Sequence, residues 1–143
     1  MINYDIILNK NLLNVLKEVL IQIQNNKSTK HNQLYITFNT QDENIIIPKW
    51  LLAKYPRNIT IVLQHEFYNL KVSKEYFNVT LSFDDIKTDL KISFSSIISF
   101  ADPTADFGLI LQKDNKQKKI NKNLENKKMK KDNVINFSNY KKN

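Results

Sequence analysis

Between residues 6 and 26, in IILNKNLLNVLKEVLIQIQNN, apolar side chains recur every three or four positions, the period of an α-helix. At about 100° per residue, Leu12, Leu13, Val15, Leu16, Val19, Leu20 and Ile23 fall on one arc roughly 160° wide. Asn14, Lys17, Glu18, Ile21 and Gln22 fall outside it. That arc is broader than a helix resting on a single core needs. Two uses of the breadth are open: deep packing on the chain's own sheet, or division of the apolar surface between that sheet and a second subunit.

From about residue 33 to 112 the period changes to two. QLYITFNT alternates and is rich in β-branched and aromatic residues, and ENIIIP is a short strand candidate stopped by Pro48. PKWLLAKYP lies between two prolines and predicts one or two helical turns. NITIVLQHEFYNLKV is the longest strand candidate. EYFNVTLSF, DDIKTD and LKISFSSIISF read as a strand, a turn and a further strand or strands. ADPTAD reads as a loop and FGLIL as a last strand. Closely spaced short strands predict a mainly β fold, a small barrel or sandwich carrying one N-terminal helix. From Lys113 the segment KDNKQKKINKNLENKKMKKDN has no apolar face, so disorder is expected there. Apolar side chains return only in DNVINFSNYKKN, at the end.

The net charge of +8 is unevenly distributed. Residues 1–112 hold 11 basic and 11 acidic side chains, whereas residues 113–143 hold 11 lysines and 3 acids. The basic character therefore belongs to the tail. Such a tail could contact phosphates, but it has no arginine and no regular aromatic interleaving for base stacking. A nucleic-acid-binding module of Sm-like type is the weaker alternative, because the body is neutral. The chain has no cysteine, two histidines and one glycine, Gly108. This composition excludes disulfides, thiolate metal sites, cysteine nucleophiles and the glycine-rich loops that cradle phosphates. No cofactor and no metal is expected. No apolar run approaches the roughly 20 residues of a membrane span, and the N-terminus lacks the features of a signal peptide, so a cytoplasmic protein is expected.

Candidate chemistry is sparse. His65 and Glu66 would point to opposite faces of a strand and could not act on one atom together. Asp84, Asp85 and Asp89 suit a solvated hairpin better than a calcium loop, and Asp102 and Asp106 suit capping around Pro103. Neither arrangement suggests an enzyme. Recognition of an extended peptide against a strand edge or groove remains.

Three stretches point to a known family. LYITFNT, then IIIPKWLLAKYPRNITIVLQHEFYNLKVSKEYFNVTLSF, then ISFSSIISFADPTADFGLIL resemble the stringent starvation protein B (SspB) family in its alphaproteobacterial form, over about residues 4–112. YPRNITIVLQHEFYNL and FADPTADFGLIL are the most specific pieces. The resemblance implies a non-enzymatic adaptor that binds ssrA-tagged proteins and delivers them to the ClpXP protease. It implies an Sm-like β-barrel with an N-terminal helix, forming a homodimer in which Leu12, Leu16, Val19, Leu20 and Ile23 contribute to the interface. It also divides the chain into a tag-binding and dimerisation domain (1–112), a linker (113–133) and a terminal motif (134–143) that docks on the N-terminal zinc-binding domain of ClpX. VINFSNYKK supplies Val134, Ile135, Phe137, Tyr140, Lys141 and Lys142 at the positions of that motif. For tag binding the resemblance implicates Gln64, with Val62, His65, Phe67 and Tyr68 around it. As a continuous strand, this stretch would put Val62, Gln64 and Glu66 on one face and Ile61, Leu63, His65 and Phe67 on the other. Where the family usually has Phe-Gly-Gly, this chain has Phe83-Asp84-Asp85, so another turn type is expected there.

Overall fold

The fold was analysed in a computed structural model, which describes residues 1–26 and 32–111. Expectations for the linker and terminal motif lie outside these residues. Helix α1 spans Tyr4–Asn26. Asn3 caps it, its Oδ1 accepting from the Ile6 N–H at 3.1 Å, and Asp5 in the first turn complements the positive end of the helix dipole. The strands are β1 (Leu34–Asn39), β2 (Asn58–Leu63), β3 (Tyr68–Val72), β4 (Tyr76–Phe83), β5 (Ile86–Ser93), β6 (Ile97–Asp102) and β7 (Phe107–Ile110). A short helix α2, Lys49–Lys54, starts after Pro48 and closes with the Tyr55 N–H donating to the Leu51 carbonyl.

Two antiparallel sheets result, one ordered β2-β1-β6-β7 and the other β3-β4-β5. No hydrogen-bonded strand pair joins them among the described residues, so the expected mainly β fold is present as two facing sheets and not as a closed barrel. Their inner faces form one core. Leu34, Ile36 and Phe38 alternate inward from β1, Ile59, Ile61 and Leu63 from β2, Phe77, Val79 and Leu81 from β4, and Leu90 and Ile92 from β5.

Three expectations change with the tertiary structure. The long strand predicted over NITIVLQHEFYNLKV is two strands, because the chain leaves one sheet at Leu63 and enters the other at Tyr68. ENIIIP contributes a single bridge, Ile46 to Lys91, where its backbone bonds in both directions at 2.9 and 3.0 Å. The DDIKTD turn shrinks to Asp84 and Asp85 alone, with β5 running from Ile86. Both aspartates have positive φ, 53° and 68°, the sign a type I′ hairpin demands at both central positions. The two-residue primed geometry expected of Gly-Gly thus persists on aspartates. Asp84 also bonds Lys54 Nζ at 2.9 Å, which raises the Lys54 pKa through that hydrogen bond first and its charge second.

Helix α1 divides its apolar arc. Leu16, Leu20 and Ile23 are buried in the protein's own core, with Leu13 and Val19 packed partly against it. Of the five side chains assigned to a dimer interface, those three are therefore committed within the protomer, and Leu12 and Val19 stay half-buried on the flank. Gln24 fastens the helix to the second sheet. Its Oε1 accepts from the Val72 N–H at 2.7 Å, satisfying a donor on edge strand β3.

Candidate functional site: the crossing between the sheets

Gln64, His65, Glu66 and Phe67 form the irregular segment between β2 and β3. Along β2 the alternation holds: Ile61 and Leu63 are buried and Val62 is exposed. It stops at Gln64, because the next strand belongs to the other sheet. His65 and Glu66 are exposed, whereas Phe67 turns back to pack partly against the core. That contact anchors the crossing. Tyr68 opens β3 with much of its ring exposed, and Lys87 Nζ lies 4.5 Å from the ring centroid.

Gln64 is half-buried and held. The β1–β2 register pairs Leu34 with Leu63, so Gln33 stands opposite Gln64 one step beyond the ladder. Gln33 Nε2 donates to Gln64 Oε1 at 3.1 Å. The Gln64 amide nitrogen has no partner among the described residues, leaving it free to donate to a peptide carbonyl. Of the five residues implicated by the sequence, Gln64, His65, Phe67 and Tyr68 are thus gathered in one crossing. Val62 lies just before it, on the outer face beside Tyr35.

The ADPTAD segment behaves as a capped bend. Asp102 Oδ1 accepts from the Ala105 N–H at 3.2 Å, and Asp106 adopts left-handed φ of 56°. Residues 102–108, from the end of β6 into β7, sit at the same end of the four-stranded sheet as Gln64, with β1 intervening. Asn32 Nδ2 ties the start of β1 to Asp102 Oδ2 at 2.5 Å.

A second feature adjoins the crossing and was not singled out in the sequence. A cleft of about 400 Å3 lies over the outer face of β4 and β5, reaching Asn69 on one side and Ile46 on the other. Its floor is Thr80, whose hydroxyl donates to Asp89 Oδ1 at 2.6 Å and meets Asn69 Nδ2 at 3.3 Å. The period-two pattern of YFNVTLSF and IKTDLKIS does place Asn78, Thr80, Asp89 and Lys91 on one face. Only the fold brings Asn69 and Ile46 to it. No group of three His, Asp or Glu side chains among the described residues could hold a metal ion. No described helix is long and apolar enough to cross a membrane.

A model of the stringent starvation protein B family matches residues 7–142, nearly the whole chain. The chain belongs to the SspB family. A search of curated proteins found no match. Membership makes the chain one of a family of ClpXP adaptors, not of enzymes. The match continues past the described domain through the lysine-rich segment and the terminal VINFSNYKK.

Proposed function

We propose that this SspB-family protein is a cytoplasmic adaptor that binds ssrA-tagged polypeptides at the crossing between its sheets and presents them to ClpXP. The observation that carries the reading is the Gln64 amide, oriented by Gln33 so that its nitrogen is available to an incoming backbone carbonyl. An extended peptide binds through such main-chain hydrogen bonds, with neighbouring side chains adding selectivity. Phe67 stiffens the crossing from below, and Val62, His65 and Tyr68 supply exposed surface around it.

Val134, Ile135, Phe137, Tyr140, Lys141 and Lys142 dock on the N-terminal zinc-binding domain of ClpX in this reading, with residues 113–133 as the tether. Tethering makes the second binding event intramolecular, at an effective concentration on the order of millimolar, so the docking contact itself can stay weak. The adaptor acts as a homodimer through the exposed flank of α1. Tyr4, Leu8, Leu12, Val15 and Val19 fall within an arc of about 80° beside the buried stripe. Leu8 and Val15 keep 46% and 37% of their surface exposed in the single chain. A second copy of the same helix would cover them.

Deletion of residues 132–143 tests the division of labour. Adaptor-stimulated degradation of an ssrA-tagged fluorescent protein by ClpXP should disappear, while affinity for a labelled ssrA peptide stays within twofold or so of the parent. An equal loss of peptide affinity would refute it. A salt series and a nucleic-acid control in the same titration separate peptide capture from phosphate binding, since only the latter falls steeply with salt.

A further inference from the structure

The outer face of the three-stranded sheet gathers Lys71, Lys87 and Lys91. The register lines up Lys71, Asn78 and Lys91 across the three strands, and beside them Tyr68, Thr80 and Asp89. Lys87 follows on β5, opposite Ser82. Lys87 and Lys91 thus flank Asp89 along β5, with Lys71 across β4 from Lys91, and the Asp89 carboxylate already accepts from Thr80. Two of the lysines are held close to the sheet. Lys87 Nζ lies 4.5 Å from the Tyr68 ring centroid and Lys91 Nζ 4.2 Å from that of Tyr76. These aromatic platforms restrict two otherwise mobile ammonium groups beside the cleft, reducing the entropy a ligand must remove. Between them, Thr80 is only 7% exposed, and the Asn69 and Asn78 side chains add amide groups. Asn69 is held at φ 56°, the left-handed conformation asparagine tolerates, and follows Tyr68 of the crossing directly. Ile46, 62% exposed, supplies an apolar rim.

We propose that this cleft binds an acidic extended peptide segment continuous with the one held at the crossing, so that the adaptor favours tagged chains with carboxylates beside the core contact. The proposal rests on the peptide-binding reading above. Charge complementarity decides the occupant: the chain's own tail, with 11 lysines against 3 acids, would be repelled. The Asn69 and Asn78 amides offer acceptors as well as donors, which suits a peptide backbone with its N–H groups better than a phosphate backbone, which has no donor to give.

The test uses the full chain and fluorescence anisotropy with the ssrA peptide, extended at either end by Glu-Ser-Glu or Gln-Ser-Gln. At low salt the acidic extension should bind about three- to tenfold more tightly than the neutral one at one of the two ends, the range expected for two exposed charge contacts. That gain should vanish in a Lys87→Gln/Lys91→Gln variant, read as acidic against neutral extension within the variant so that any effect of losing the Lys87–Tyr68 contact at the crossing cancels. Equal binding of acidic and neutral extensions at both ends would overturn the proposal while leaving capture at Gln64 standing, and so would a gain that survives the double variant. If the unextended ssrA peptide does not bind, the adaptor reading fails. A labelled (Glu-Ser)5 peptide then decides the cleft separately: saturable binding lost in the lysine variant supports it, and no binding overturns it. Displacement of the acidic peptide by oligouridylate at comparable concentration would transfer the site to RNA and overturn the peptide assignment.

Discussion

Gln64 and Gln33 should act on tag affinity as a pair. Truncating Gln64 to alanine removes the amide nitrogen available to the peptide, and one neutral hydrogen bond contributes about 0.5–1.5 kcal/mol net. That corresponds to a loss of about two- to twelvefold in affinity. Gln33→Ala leaves the nitrogen in place but removes the 3.1 Å bond that orients it. Gln64 must then lose side-chain freedom on binding, a cost that reaches about 1.5–2 kcal/mol only for complete ordering. A partial cost on the order of twofold in affinity is expected. The double variant should bind no worse than Gln64→Ala, because orientation has no value once the amide is gone. Anisotropy titration of a labelled ssrA peptide against the four proteins closes the cycle. Circular dichroism melts should agree closely, since both side chains lie at the end of the ladder. Losses that simply add would refute the orienting role of Gln33, and an affinity unchanged by Gln64→Ala would remove the crossing from the binding site.

Three other perturbations probe the scaffold. Gln24→Ala leaves the Val72 N–H without its acceptor and should cost about 1–2 kcal/mol in urea unfolding, with Gln24→Glu milder because an acceptor remains; equal stability would show that α1 is not fastened there. Asp85→Gly turns the pair after Phe83 into an Asp-Gly dipeptide, which type I′ turns favour, and keeps the Asp84–Lys54 contact. It should stabilise the fold by up to about 1 kcal/mol in the same assay, whereas destabilisation would mean that the positive φ of Asp85 is not strained. Leu8→Glu/Val15→Glu puts charges on the exposed flank of α1 without entering the core. It should shift the protein to monomers in sedimentation velocity, and an unchanged dimer would place the interface elsewhere.

The adaptor assignment changes how the charge distribution is understood. With a balanced body and a basic tail, the chain as a whole has the net charge of a nucleic-acid binder. The folded part instead offers a polar crossing and one tyrosine-walled face where lysines cluster locally. Net charge alone says nothing of this arrangement, because the sum conceals where the charges lie.

Local patterns determined a good deal unaided. The 3.6-residue recurrence along α1, the inward alternation of Leu34, Ile36 and Phe38, and the prolines bracketing α2 each predict an element by a rule acting within a few residues, and each element is present. The family resemblance singled out the set around Gln64, whose role is a proposal, and the capping by Asp102 was legible from the chemistry around Pro103. What needed the tertiary structure was decided between distant residues. NITIVLQHEFYNLKV has strand propensity throughout, yet β2 pairs with β1 and β3 with β4, so the chain must break between Leu63 and Tyr68 to change sheets. The division of the α1 arc likewise depended on the sheets beneath it. Leu12 and Leu16 have the same side chain one turn apart, but only Leu16 lies over the core. The cleft combines Asn69, Thr80, Asp89 and Ile46 from four separate segments. Periodicity tells which residues share a face of one element. Which faces meet is set by long-range packing, and that is where both the crossing and the cleft arise.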